Sequence, residues 1–104
     1  MSPYVLPGVT LDADGIIAEV ERWYNLSPGA IMTDSQSPKY AFPRFVAMHI
    51  IRFTFGWTLQ MLTMKFGKTR ATIIHATKTV RNEIEVNREF ARRYSELCKK
   101  IERK

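Results

Sequence analysis

Acidic residues are missing from almost half of this sequence. No aspartate or glutamate occurs in residues 35–82, and that segment carries eight basic residues. Residues 1–34 hold five acids and one base, and residues 83–104 hold five acids and seven bases. The formal net charge of +6 is therefore concentrated in the middle of the chain. Charge segregated in this way is self-repelling unless a polyanion neutralises it, and nucleic acid is the most common such partner.

Disulfides, a secretory leader and a membrane span are also not indicated. Cys98 is the one cysteine, so no internal disulfide can form, and a reducing compartment is favoured. Residues 1–10 show neither the basic nor the long apolar part of a secretory signal. The most apolar stretch, residues 41–64, is interrupted by two arginines, a histidine and a glutamine. We therefore expect a cytoplasmic protein that does not use a membrane.

Length and composition are those of a folded domain. A chain of 104 residues can bury one modest core, and 45% hydrophobic with 25% charged residues is ordinary for globular proteins. Apolar residues recur at spacings of three and four and seldom of two, which predicts an all-α fold. We expect residues 1–104 to form a single domain, with residues 1–10 as an irregular lead-in.

Apolar spacing and capping residues predict about six helices. The first starts at Asp12 or Asp14, with Glu19, Glu21 and Arg22 facing water. Pro43 is expected to open the third helix after a loop, and Thr58 and Asn87 are expected to cap the fourth and the last helix. The expected spans are about residues 12–24, 28–33, 43–56, 58–65, 69–85 and 87–101.

The fourth and fifth predicted helices form a helix-turn-helix over residues 58–85. Gly67 ends the fourth helix in the left-handed conformation that glycine adopts easily, and Thr69 caps the fifth. The solvent-facing stripe of the fifth helix is expected to comprise Ala71, His75, Lys78 and Asn82. The major groove, about 12 Å wide, admits one helix whose N-terminal residues meet base edges. The pattern therefore predicts double-stranded DNA as the partner.

Other functional classes have less support. A protein-interaction adaptor could use the same basic face to dock an acidic partner. RNA binding ranks lower, because the exposed aromatic pattern of single-strand readers is missing. His49 and His75 are far apart with no acid or cysteine between them, so no metal site is indicated. Residues 67–69 imitate the end of a phosphate-binding loop, but Leu62 stands where that loop needs a glycine. We expect no enzyme, no cofactor and no bound nucleotide.

Two features of the apolar pattern concern packing. His49 lies on an apolar helix and is expected to be a hydrogen-bonded core or edge residue. The last helix carries an apolar seam that could form a dimer, but burial in the chain's own core is favoured, and with it a monomer. The seam comprises Phe90, Tyr94, Leu97, Cys98 and Ile101.

Three segments resemble a known family. They read Ala41-Phe-Pro-Arg-Phe-Val-Ala-Met-His-Ile, Thr58-Leu-Gln-Met-Leu and Phe66-Gly-Lys-Thr-Arg-Ala-Thr-Ile-Ile-His-Ala-Thr-Lys-Thr-Val. They are similar to the C-terminal DNA-binding domain (domain IV) of the bacterial chromosomal replication initiator DnaA, over roughly residues 16–101. The resemblance implies a Trp-repressor-like helix-turn-helix that binds a short duplex element. Because the family's ATPase module is missing from this sequence, we expect a stand-alone module of bacterial or phage origin that occupies sites in replication or transcription control.

The resemblance also implies which residues touch DNA. Arg44 matches the arginine that opens the family's long apolar helix. Lys39 lies near the family's basic loop, which reaches the minor groove, and Gln36 is the alternative match. By position, Arg44, Arg52, Leu59 and Gln60 lie where the family touches DNA backbone or bases, and residues 69–72 lie where it reads bases in the major groove. With the other basic residues and the fifth helix, the candidate DNA-binding set is Lys39, Arg44, Arg52, Leu59, Gln60, Lys65, Lys68, Thr69, Arg70, Ala71, Thr72, His75 and Lys78.

The turn departs from the family's pattern in two ways. It is one residue shorter than Gly-Gly-Arg-Asp-His, and Thr69 and Arg70 replace the Asp-His pair. An aspartate accepts a hydrogen bond from cytosine, whereas an arginine donates two to guanine. We therefore expect a changed target site, with a guanine read by Arg70.

Overall fold

The computed structural model describes residues 11–103, which form five α-helices and one 3-10 helix. The helices are α1 (Ala13–Trp23), the 3-10 helix (Ala30–Met32), α2 (Pro38–Phe55), α3 (Leu59–Phe66), α4 (Arg70–Val86) and α5 (Arg88–Glu102). The all-α prediction is confirmed over this range. The expected irregular lead-in at residues 1–10 lies outside the described residues. Within the range, every helix is too short or too polar to cross a bilayer.

Side-chain caps set the start of four helices where the sequence placed them. In each, an oxygen of the capping residue accepts a hydrogen bond from an amide in the first turn, which would otherwise have no partner. Asp12, rather than Asp14, caps α1. The cap and amide pairs are Asp12 and Gly15, Thr58 and Met61, Thr69 and Thr72, and Asn87 and Phe90.

Two predicted boundaries were wrong. Helix α2 begins at Pro38, after Ser37, so that Pro43 lies inside the helix. Pro38 and Pro43 both suit the first helical position, and the helix begins at Pro38. Pro43, inside the helix, has no amide hydrogen and so removes one backbone hydrogen bond, and its side chain is buried. The helix expected at residues 28–33 is reduced to the 3-10 helix, because Gly29 takes a left-handed conformation with φ of 86° immediately before it.

Helix α2 lies at the centre of the molecule. It packs against α1, the 3-10 helix, α3 and α4, while α5 covers α1 and α4. Its side chains are buried on several faces, which is typical of a helix that is apolar all round. The largest fully buried side chains of this core include Ile16, Ile31, Met48, Ile50, Ile51, Leu62, Ile73, Leu97 and Ile101.

Two glutamates of α1 are buried, contrary to the expectation that they face water. Glu21 accepts a hydrogen bond from the backbone amide of Ile31 at 3.2 Å, and Glu19 forms an ion pair with Arg22. Helix α1 is covered on one side by the 3-10 helix and on another by α5, so its buried arc is wider than its apolar stripe. Glu21 therefore anchors the segment after α1, and Glu19 is paired within α1, instead of facing solvent.

The apolar seam of α5 is buried in the chain's own core, as predicted. Tyr94, Leu97 and Ile101 are buried, and Phe90 packs partly against them. Cys98 is buried in the same seam, and burial raises the pKa of its thiol to about 11.

His49 is a buried, hydrogen-bonded core residue, as expected. Its Nδ1 lies 2.7 Å from the hydroxyl oxygen of Tyr94, and its ring contacts Phe53 at 4.7 Å between centroids. Burial, with the nearby charge of Arg81, lowers the pKa of His49 to about 4. The neutral imidazole is therefore part of the folded state.

This burial predicts a dependence of stability on pH. Because the folded-state pKa of His49 is below its ordinary value of 6.5, its contribution is fully present above pH 6.5 and is lost as the pH falls towards 4. We expect the free energy of unfolding to fall by about 3 kcal/mol more between pH 7 and pH 4 in the wild type than in His49→Gln. Urea titrations of both proteins across this range measure the difference, and parallel pH profiles contradict the prediction.

Candidate nucleic-acid interface

The turn between α3 and α4 gives the helix-turn-helix its shape. Gly67 has a φ of 64°, and its amide donates to the carbonyl of Thr63 at 2.8 Å, so the predicted glycine cap is confirmed. Thr69 then caps α4 through a hydrogen bond from the amide of Thr72 at 3.2 Å. Three residues, Gly67, Lys68 and Thr69, thus separate the end of α3 from the start of α4. The short turn fixes where α4 begins relative to α3.

Helix α4 presents the polar stripe that the sequence predicted. Ile73, Ala76, Thr77 and Val80 are buried. The opposite stripe is exposed and comprises Ala71, His75, Lys78 and Asn82. Neither Asp nor Glu occurs in the first turn of α4, so the partial positive charge of the helix start is not offset there.

An open cleft of about 390 Å³ lies beside the first turns of α4. One wall comes from α4 and the turn before it, and the other from α2 and the loop before it. Across the cleft, the rings of Phe45 and His75 meet edge to face at 5.8 Å between centroids. The lining residues are Gln36, Arg44, Phe45, Lys68, Ala71, Thr72 and His75. Five of the predicted contact residues are thus brought together in one place.

Arg44 holds the loop that forms the second wall. Its side chain is 2% exposed, and its Nε donates to the carbonyl of Ile31 at 2.6 Å. One terminal nitrogen donates to the carbonyls of Thr33 at 2.7 Å and Ser35 at 3.1 Å. Burial lowers the pKa of Arg44, and the charge of Asp34 opposes that shift. The structure therefore gives Arg44 a positioning role, and its contact with DNA stays a prediction.

The lysines near the turn are paired with acids from the N-terminal flank. Lys68 is 16% exposed, and its Nζ lies 3.5 Å from a carboxylate oxygen of Asp34. Lys65 forms an ion pair with Asp14 of α1 and does not line the cleft. Of the two lysines, the structure places Lys68 alone in the cleft wall.

Four further predicted residues lie outside the cleft. Arg52 donates a hydrogen bond to the carbonyl of Trp57, which closes the turn between α2 and α3. Leu59 packs partly against the core, and Gln60 is exposed on α3. Lys39 is exposed in the first turn of α2, with its Nζ 5.5 Å from the centre of the Tyr40 ring.

The remaining predicted residues extend the surface along α4. Thr69 and Arg70 are exposed at its start, and helix geometry leaves the amides of Arg70 and Ala71 without an intrahelical acceptor. Lys78 lines a second depression next to the cleft, which shares His75 with it. The polar surface therefore continues for about two turns beyond the cleft.

Sequence reasoning missed one cleft residue and left another as an alternative. Phe45 was not singled out, because in an apolar helix nothing in the sequence marks one aromatic ring as facing a cleft. Gln36 was the alternative to Lys39, and the structure places Gln36 in the cleft. Among residues 11–103, no group of three or more metal-ligating side chains could hold a metal ion.

Comparison with known proteins gives consistent matches. The family described as bacterial DnaA protein helix-turn-helix matches residues 13–80. The chromosomal replication initiator protein DnaA of Caldanaerobacter subterraneus subsp. tengcongensis is 32% identical over 83 residues, covering 80% of this chain and 19% of that protein. The same protein of Thermoanaerobacter pseudethanolicus is 31% identical, with the same coverage. DnaA 2 of Chlamydia caviae is 28% identical, over 78% of this chain and 18% of that protein. The chain spans about a fifth of the length of these relatives.

The role of Arg44 gives a stability prediction. An ammonium group cannot reproduce the fork geometry that serves three carbonyls, so Arg44→Lys should lower the free energy of unfolding by about 1–3 kcal/mol. The matched control is Lys39→Arg, an exposed change in the same helix that should stay within about 0.5 kcal/mol. Urea denaturation measures both, and equal stability of Arg44→Lys and wild type contradicts the positioning role.

Proposed function

The chain belongs to the family of bacterial DnaA helix-turn-helix domains, and we propose that it binds double-stranded DNA sequence-specifically through the cleft and the start of α4. One observation carries the proposal. The exposed stripe of α4, the positive start of that helix, which has no acid in its first turn, and the cationic cleft share one surface. This is the arrangement that a helix needs to enter the major groove while its neighbours hold phosphates.

Each part of this surface has a distinct role in the proposal. The first turn of α4 enters the major groove, where the exposed guanidinium of Arg70 reads a guanine through its two acceptors. The adjacent phosphodiester strand follows the cleft, where Lys68, Thr72 and His75 supply donors. The loop before α2, with Gln36 in the cleft, and the exposed Lys39 in the first turn of α2 extend towards the minor groove.

We propose further that the protein acts by occupying its sites in the control of replication or transcription, as one domain, in the cytoplasm and without catalysis. The interface described above consists of donors, cations and one helix start, which suit binding. The relatives are replication initiators several times longer than this chain, so initiation itself is not carried over from them.

Salt dependence tests the proposal. Contacts to six to eight phosphates should make the logarithm of affinity fall with the logarithm of salt concentration at a slope of about −5 to −7. A duplex selected from a randomised pool should also resist competition by random duplex. Gel shifts with both competitors across a salt series provide the measurement. Retention that any polyanion abolishes equally would instead identify an adaptor for an acidic partner.

The reading of a base by Arg70 has its own test. Arg70→Ala should lose about 1–3 kcal/mol of discrimination at one base pair of the selected site. Lys78→Ala, on the exposed stripe two turns further along α4, is the control, because a phosphate contact should weaken binding to all sequences uniformly. Competition assays with single-base variants of the site distinguish the two patterns. Uniform weakening by Arg70→Ala shows that Arg70 contacts phosphate only.

A further inference from the structure

One carboxylate lies at the edge of the cationic cleft. Asp34 is fully exposed, and its carboxylate oxygen is 3.5 Å from the Nζ of Lys68. Lys68 itself is largely buried and lines the cleft with Arg44 and Thr72. A surface in which cations are to meet phosphates thus carries a negative charge beside one of its lysines.

Asp34 lies in a segment whose backbone is held by hydrogen bonds to the core. Arg44 donates to the carbonyls of Thr33 and Ser35, which are the residues on either side of Asp34. The same side chain binds the carbonyl of Ile31, where the 3-10 helix lies. The backbone that carries Asp34 is therefore held at both neighbours, which keeps its carboxylate within reach of Lys68.

We propose that Asp34 is a built-in competitor for DNA: its carboxylate occupies Lys68 in the unbound protein and must be displaced by a phosphate on binding. The inference rests on the proposed function, since it names a residue that limits the affinity of that same surface. A phosphate that reaches Lys68 removes the partner of Asp34 and is also repelled by its charge. Both effects lower the affinity for every duplex, because neither depends on base sequence.

The competition by Asp34 should also change how the affinity for DNA depends on salt concentration. Each phosphate neutralised by a lysine releases condensed cations from DNA, which adds about −0.9 to the salt slope. When the phosphate displaces Asp34, the carboxylate left behind attracts a cation, and this uptake cancels part of the release. Removing the carboxylate should therefore make the slope steeper as well as the binding tighter.

The experiment compares Asp34→Asn with wild type on the selected duplex and on a random duplex. We expect Asp34→Asn to bind both about three- to tenfold more tightly, with a salt slope that is more negative by a part of the ~0.9 that one phosphate contact contributes. The matched control is Glu96→Gln on α5, which also removes one negative charge. No residue of α5 lines the cleft, so this variant changes the net charge without changing the cleft. It should give a smaller gain and leave the slope unchanged.

A second background tests the part played by Lys68. In Lys68→Met the gain from Asp34→Asn should shrink, because the competition for the ammonium group no longer exists. An equal gain in both backgrounds, or equal effects of Asp34→Asn and Glu96→Gln, overturns the inference while leaving the proposed function intact. Failure of the wild type to bind any duplex is a different result, and it removes the proposed function itself.

Discussion

The hydrogen bonds from the buried guanidinium of Arg44 to three backbone carbonyls are the interaction on which the proposed surface depends. They fix the segment between the 3-10 helix and α2 against the start of α2, and that segment is the wall of the cleft opposite α4. A buried guanidinium is costly to desolvate unless its donors are satisfied, so these bonds tie the loop geometry to the stability of the core. The cleft is therefore an extension of the packing of α2 rather than a loose surface depression.

The charge pattern acts through this geometry. The acid-free segment supplies the cations. Two of its lysines are already paired in the fold, because acids of the N-terminal flank form ion pairs with them. Asp14 ties Lys65 to α1, and Asp34 meets Lys68 at the cleft. On the proposed function, the basic face meets DNA with its charge partly compensated. Such a surface would favour duplexes that also satisfy the exposed residues at the start of α4 over those that offer phosphates alone.

Much of the fold could be predicted because local chemistry determines it. Caps at Thr58, Thr69 and Asn87 and the glycine at position 67 fix helix ends by hydrogen bonds within a few residues, and these predictions were confirmed. The start of α2 was missed because Pro38 and Pro43 both suit the first helical position, and the helix begins at the earlier one.

The candidate site was less predictable than the helices. Its α4 members follow from helical periodicity. The positioning role of Arg44, the outward turn of Phe45 and the pairing of lysines with distant acids depend on contacts between segments far apart in sequence, about which local patterns carry no information. The sequence shows that a side chain is positively charged. Where that side chain lies, and which group it pairs with, depends on the elements that pack beside it.

Mapping the surface that duplex DNA covers tests the central claim most directly. In an NMR titration of the isotope-labelled protein with its selected duplex, we expect the perturbed backbone amides to cluster at residues 34–39 and 67–79. The exposed face of α5, around Arg92 and Glu96, should be unaffected. Perturbations centred on α5, with the start of α4 unchanged, would contradict the account, because DNA would then bind a surface that contains neither the cleft nor the helix-turn-helix.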